Sequence, residues 1–396
     1  QTQWEFDLNG RVTKKTFPHG KSIQYSYQNE SGLLSTVKNP NDGSATWTQT
    51  YYKDGNLYKI DYANTNVPDV TYVYDAYYNR ITSRIDGAGT TAYGYIATAT
   101  SPAHPGTTNG AGSLYSVDGP WADDTITYTY DDLGRASARN MASASYPNHA
   151  HGNTYTFDSL GRLKQDVNGL ATYDYTFIGN SGLVDKRSSG ASTGVREVDY
   201  DYFTYADIPY MNRPLKSIVH RTASGGTVFS QHDYTYGSGV EVGQIKTWQR
   251  QLPNSGGGST TTTQTFGYDN ILQLTSAAET GQSTKTYAYD AAGNRTSKSE
   301  SGSSTTYATA NDSNEIASAT GGDPYSGGSY DDNGNLTNIN YGDSSKRTMT
   351  WDTINRLREI IIQAGTALAN GGDRKVTWDY NADSQRYKEL AYTHNG

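Results

Sequence analysis

Seven histidines, three adjacent aspartate pairs and 35 tyrosines are the groups in this 396-residue sequence with the means to do chemistry. His149 and His151 stand one residue apart, so a strand would place both imidazoles on one face, as a metal pair requires. No Asp, Glu or His lies at obvious ligand spacing from them, and a loop pair after Pro147 is the plainer reading. His19, His104, His220, His232 and His394 are scattered. Asp123-Asp124, Asp131-Asp132 and Asp331-Asp332 offer the two carboxylates that glycoside hydrolysis needs. Adjacent strand residues point to opposite faces, however, and the last two pairs fall in turn sequences. No His-Glu-x-x-His, phosphate-binding loop, Gly-x-Ser-x-Gly or dinucleotide fingerprint occurs. These residues define no catalytic centre, no cofactor site and no metal site. Tyrosine arrays can also stack on sugar rings. The run Tyr200-Asp201-Tyr202-Phe203-Thr204-Tyr205 would set aromatics on both faces of a strand, leaving one face for a glycan. A polysaccharide-cleaving enzyme using Tyr, His and Arg ranks below simple glycan binding.

What must position these groups is a repeat. Tyr-Asp-x-x-Gly-(Asn/Arg)-(Leu/Arg/Ile) runs from one end of the sequence to the other. Its clearest copies hold Asp131 and Gly134, Asp158 and Gly161, Asp290 and Gly293, and Asp331 and Gly334. Asp7 and Gly10 open the chain, Asp75 and Asn79 sit in a copy with one extra residue, and Asp352 and Asn355 follow Trp351. More decayed copies lie at 268–274 and 380–386. In the later copies the aspartate position falls at 269, 290, 311, 331 and 352, steps of 20 or 21. Such a unit holds two strands of about 5–6 residues and two turns.

Each part has a local reason. Tyr72-Val73-Tyr74, Thr127-Tyr128-Thr129-Tyr130, Tyr155-Thr156-Phe157 and Tyr287-Ala288-Tyr289 alternate with period two, and Tyr330 and Trp351 stand at the same place in their copies. Period two sets an aromatic ladder on one sheet face, and Tyr and Thr pack well on a pleated surface. The aspartate starts a turn, its carboxylate accepting a hydrogen bond from the backbone two residues on. Gly at the fourth position supplies positive φ and a bulge. Asn tolerates that conformation best after Gly, which accounts for Asn79 and Asn355. Arg135, Arg162, Arg295 and Arg356 are placed to pair with the aspartate of a neighbouring repeat. No stretch keeps i, i+3, i+4 apolar spacing over three turns, and Ile360-Ile361-Ile362 is β-branched. The expectation is an all-β chain of antiparallel hairpins with little helix.

These motifs resemble the YD repeats of the Rhs family, also found in wall-associated bacterial proteins, the shell-forming component of Tc insecticidal toxins, and teneurins. The resemblance runs from Phe6 to about Leu390. It implies hairpins winding into a continuous spiral sheet that forms a shell or tube wall, which in Rhs and Tc proteins holds a toxic C-terminal domain. There the shell ends in an Asp-Pro-x-Gly element where self-cleavage occurs. Here the only Asp-Pro is Asp323-Pro324, followed by Tyr325-Ser326-Gly327 and by further repeats, so it reads as a turn.

Composition agrees with a repeat array. Leu, Ile, Val and Phe fall below the ~20% that marks disorder in highly charged chains, but net charge is only −8 and the tyrosines are periodic. Tyrosine must then replace aliphatics as the packing residue, each hydroxyl needing a partner when buried. That suits a thin wall better than a dense core. One array over 1–396 is expected, with irregular insertions near 97–120, where Pro102, Pro105, Gly106 and Gly110 cluster, and near 252–264, around Gly256-Gly257-Gly258. Repeats reach close to both termini, so the chain is expected to be part of a longer polypeptide or an assembling subunit. No ~20-residue apolar span exists. Mild acidity without Lys/Arg clusters argues against nucleic acid as a partner. The partners expected are other copies or adjoining parts of the same chain, with a surface glycan behind them. Absence of cysteine fits an extracellular or cell-surface protein. The leading expectation is a non-enzymatic secreted scaffold, a shell, tube or fibre. A toxin-encapsulating cocoon fragment is second.

Overall fold

The computed structural model describes residues 2–40, 46–64, 66–98, 109–141, 152–191, 194–209, 211–310, 313–322, 325–341, 344–363 and 373–394. The chain is all-β: among the described residues 32 strands lie in one antiparallel sheet built of hairpins. Among the described residues the helical content is one 3-10 turn, Gly239–Glu241. Contacts divide the chain into two units. The first comprises Gln1–Tyr93, Tyr289–Ser297 and Ser303–Gly396, the second Gly94–Ala288 and Lys298–Gly302.

In the first unit each strand pairs with its sequence neighbour from Gln3–Phe6 through Ile81–Asp86, and again from Ser303–Thr309 through Arg386–His394. The second unit follows the same rule from Leu114–Asp118 to Lys285–Tyr289. Register shifts by one residue at the aromatic before the turn. Tyr130 faces Ala136 while Thr129 faces Ala138, and Phe157 faces Leu163 while Thr156 faces Gln165. Each such bulge bends its strand and increases the local right-handed twist.

Burial follows the period-two reading. In Ile126–Tyr130 and Asn153–Phe157 the aromatics are half-buried and the intervening threonines Thr129, Thr154 and Thr156 are exposed. Only twelve apolar residues are buried among the described residues, several of them Val, Tyr or Trp. A layer with aromatics on one face has little interior, so half-burial is its normal state.

Two expectations change. Residues 252–264 are not an irregular insertion. Ile245–Pro253 and Ser259–Tyr268 pair without a break from Thr247↔Thr265 to Pro253↔Ser259. The β-branched threonines 260–263 favour a strand, and the Asn254 side chain accepts from Gly256 N at 3.2 Å and Gly258 N at 2.9 Å to close the turn. The second change concerns Phe203 and Tyr205. The strand Gly194–Tyr202 stops before them, so they do not furnish its second aromatic face. Phe203 packs edge-on to Tyr236 at 6.1 Å, and Tyr205 is exposed beyond the strand end. Of the 97–120 segment, 99–108 lie outside the described residues. Ile96 and Ser113 close its base by a 2.9 Å backbone bond, and Leu114–Asp118 is a strand.

Candidate functional site

One joint recurs along the sheet. In each standard turn the aspartate Oδ1 accepts two backbone hydrogen bonds, from the second and fourth residues on: Leu133 N and Arg135 N reach Asp131 at 3.0 and 2.9 Å. The same pair forms at Asp7, Asp158, Asp290, Asp331 and Asp352. The third residue after the aspartate takes positive φ, 77° at Gly10, 75° at Gly134, 80° at Gly161, 87° at Gly293, 84° at Gly334 and 64° at Asn355. Asn79 departs from this pattern. It is not among the positive-φ residues; the extra residue lets Arg80 O accept from Asp75 N at 2.9 Å across a wider turn.

The arginine after the glycine serves two repeats at once. Arg135 pairs with its own Asp131, Nη2 to Oδ2 at 2.6 Å, and its guanidinium lies 4.2 Å over Phe157, the aromatic of the next repeat. Arg11 does so with Asp7 and Tyr27, Arg162 with Asp158 and Phe177, and Arg356 with Asp352 and Tyr380. The pairing expected with a neighbour's aspartate is therefore internal to the turn: Nε is held four residues from its own carboxylate, while the flat guanidinium is free to stack outward. Arg162 Nη1 also donates to Gly179 O and Ser181 O in the next turn, at 2.8 and 2.6 Å. Where Asn replaces Arg it keeps both links. Asn335 Nδ2 donates to Asp331 Oδ2 at 3.0 Å and to Asn355 Oδ1 at 2.7 Å. Arg295, one position later in its copy, keeps only the stacking, over Tyr307 at 4.5 Å.

The aromatic before the turn points back. Tyr130 OH donates to Leu114 O at 2.7 Å, and Trp351 Nε1 to Leu336 O at 2.8 Å. Tyr330 OH reaches Ile316 O at 3.4 Å. Tyr74 instead meets Tyr52 edge-on at 5.9 Å, and Tyr72 offers its carbonyl to the Tyr52 hydroxyl. Tyr128, Tyr155 and Tyr287 are half-buried, in the row behind, and Tyr289, directly before its turn, is half-buried as well. Burial pushes the hydroxyls of Tyr130, Tyr236 and Tyr268 above the usual tyrosine value. Tyr27, Tyr51, Tyr236, Tyr268 and Tyr380 make the same backward bond. Tyr27 and Tyr51 escape a search for Tyr-Asp because Gln28 and Tyr52 follow them; the signal was the downstream glycine, Gly32 or Gly55.

In the first unit, aspartate turns of the later strands meet the opposite hairpin ends of the earlier ones. Lys21 pairs with Asp332 at 2.7 Å. Asn39 Nδ2 donates to Thr353 O at 2.5 Å. Arg84 bonds Asp383 at 2.6 Å, Ala382 N donates to Asp86 Oδ2 at 2.9 Å, and Tyr387 OH donates to Gly87 O at 2.8 Å. Here the joint is buried: the Asp352 and Arg356 side chains are 0% and 9% exposed, against 24% and 30% for Asp131 and Arg135. A cavity of about 10 Å³ lies between Val67, Val70, Asp86, Arg356 and Tyr380. None of the seam residues Asn39, Arg84, Asp86, Asp383 and Tyr387 carried a local signal, because their partners lie about 300 positions away in the sequence.

The structure brings no adjacent aspartates together as a pair. Asp131 turns inward while Asp132 accepts from Asn109, Asp332 leaves Asp331 for Lys21, and Asp124 accepts from Trp121 N. His149, His151, Asp323 and Pro324 lie outside the described residues. Among the described residues no three His, Cys, Asp or Glu cluster as a metal site would, and no helix is long and apolar enough to cross a membrane.

Residues 6–44 match the family model described as RHS Repeat. No curated protein sequence matches it. Among solved structures, the Tc holotoxin pore of Photorhabdus luminescens aligns over 98% of this chain at 15% identity and a TM-score of 0.42. The TcdB2-TccC3 crystal structure aligns over 100% at 14% identity and a TM-score of 0.36. This chain spans 23% and 26% of those chains.

Proposed function

We propose that this RHS-repeat chain is a non-catalytic, secreted or cell-surface scaffold whose hairpins form the wall of a shell, tube or fibre. The observation that carries this reading is the joint itself. Asp, Arg and the next aromatic couple each turn to its neighbour, and the aromatic hydroxyl ties back to the preceding repeat. A joint used this many times serves mechanical continuity, with backbone bonds along the array and aromatic contacts holding register. Side chains committed to such contacts are not free for catalysis.

The first unit's seam favours a second reading, the fragment of a cocoon around a toxin domain. Turn-to-turn contacts between segments about 300 residues apart are what a wall needs where one pass of the sheet meets another. Negative-stain microscopy across a concentration series tests the first reading: filaments or shells growing with concentration support it, and a small monodisperse particle at every concentration sinks self-assembly. The parent reading frame tests the second, which requires it to run on through a terminal Asp-Pro-x-Gly segment into an unrelated domain.

A further inference from the structure

One face of the second unit differs from the rest. Directly paired residues share a sheet face. Register therefore puts Arg187, Val198, His220 and Ser230 in one row, and Tyr200, Ile218, His232, Arg250 and Thr262 in the next. Tyr175 lies beside Arg187, Tyr234 beside Trp248, and Ser189 beside Arg196. The contacts run continuously. Arg187 lies 5.6 Å from the Tyr173 ring, His220 6.3 Å from His232, and His232 stacks on Trp248 at 5.7 Å. Trp248 Nε1 donates to His232 Nδ1 at 3.1 Å, and Arg250 lies 5.6 Å over Trp248. Arg196 stands 5.5 Å from Phe229.

The carboxylates of these strands go elsewhere. Glu197 and Asp199 bind Lys186 on the opposite face, Asp199 also takes Arg221, and Asp201 pairs with Lys216. Asp233 accepts from Gln231. Asp166 flanks the face on one side, held by Asn153, and Glu279 on the other, held by Gln264. Asp185 sits at a bulge at the strand end and accepts from Thr176. Among the described residues no ion pair joins Arg187, Arg196 or Arg250 to a carboxylate. Three arginines without counter-ions, beside two histidines, form a positive strip on a chain of net charge −8. The arginines and Trp248 are partly or fully open to solvent. From Arg187 to Arg250 is four strand steps, about 19 Å at ~4.8 Å each.

We propose that this face binds an extended acidic polysaccharide, its carboxylates or sulfates held by Arg187, Arg196 and Arg250 and a sugar ring laid on Trp248. Stacked guanidinium groups keep their N–H edges free for bidentate contact with an oxyanion. The hydroxyls of Ser189, Tyr200, Ser230, Tyr234 and Thr262 line the same face and match sugar hydroxyls. A nucleic acid fits less well, since its affinity is dominated by phosphate neutralisation and the rest of this chain is acidic. The site stands independently of the scaffold reading, as a wall can carry it or lack it.

Titration calorimetry with the full chain tests the proposal, using uniform-length oligogalacturonate for carboxylates, sulfated dextran oligomers for sulfates, and neutral dextran and oligo-dT as comparators. Saturable binding to an anionic oligomer, weakened by raising NaCl and at least tenfold weaker in Arg187→Gln/Arg250→Gln, supports the site; whichever oligomer binds tighter identifies the acidic group. Lys216→Gln, on the opposite face, should bind as the parent does. Circular dichroism checks the fold of each variant, and the single variants Arg187→Gln and Arg250→Gln carry the test if the double variant unfolds. No binding to either anionic oligomer, equal binding by the folded arginine variants, or tighter binding of oligo-dT overturns it.

Discussion

At the residue scale, tyrosine and aspartate are chosen for their second bonds. Phenylalanine would pack in the place of Tyr130 but could not reach Leu114 O, so Tyr130→Phe should cost about 1 kcal/mol, read by urea unfolding. Gly134 sits at φ 75° with nothing within 4 Å of an added Cβ, so Gly134→Ala should cost only the left-handed backbone strain, about 1–2 kcal/mol. The turn carboxylates also set acid stability. The Arg135 side-chain bond holds Asp131 below the ordinary value of 3.8, as the Arg11 backbone N–H does for Asp7 and the Asn294 side chain for Asp290. An aspartate whose folded value is depressed stabilises above its unfolded value, and that contribution is lost as pH falls through the folded one. Thermal midpoints should therefore hold down to about pH 4 on this account, fall below it, and fall less steeply in Asp131→Asn.

At the element scale, one joint takes two energetic values according to what covers it. Asp131 and Arg135 are partly open to water, where solvent screening leaves an ion pair worth little. Asp352 and Arg356 are enclosed, and removing one partner strands a buried charge at a cost of about 3–5 kcal/mol. Asp352→Asn should thus destabilise far more than Asp131→Asn in parallel urea titrations. Equal losses would mean that the seam does not isolate the 352–356 turn from solvent. The recurring bulge at the aromatic belongs to this scale too, because it lies at the ring over which the arginine of the preceding repeat stacks.

At the scale of the whole molecule, the first unit rests on contacts between its most distant segments. Val67 and Val70 are 3% and 4% exposed, in a pocket shared with Tyr380 and Arg356. Deleting 373–396 should uncover them, raise binding of a hydrophobic dye, and speed hydrogen exchange in 81–87, leaving exchange in 152–191 unchanged. Unaltered exchange at 81–87 would show that the last hairpin contributes nothing to holding the earlier ones.

Much of this architecture was legible in the sequence because its determinants are local. Period-two aromatics, an aspartate that closes its own turn and a glycine at positive φ act within about six residues, so hairpins, turn positions and the all-β class could be read directly. The arginine's partners were only half legible: its spacing from its own aspartate was visible, but which carboxylate it would choose depended on how the bulge aimed the next ring. The seam at Asn39, Arg84 and Asp383 and the positive strip from Arg187 to Arg250 were not legible at all. The seam depends on which distant turns come to lie side by side, set by the twist and bulges of many strands, and the strip depends on the register of successive hairpins, with no single residue to mark either.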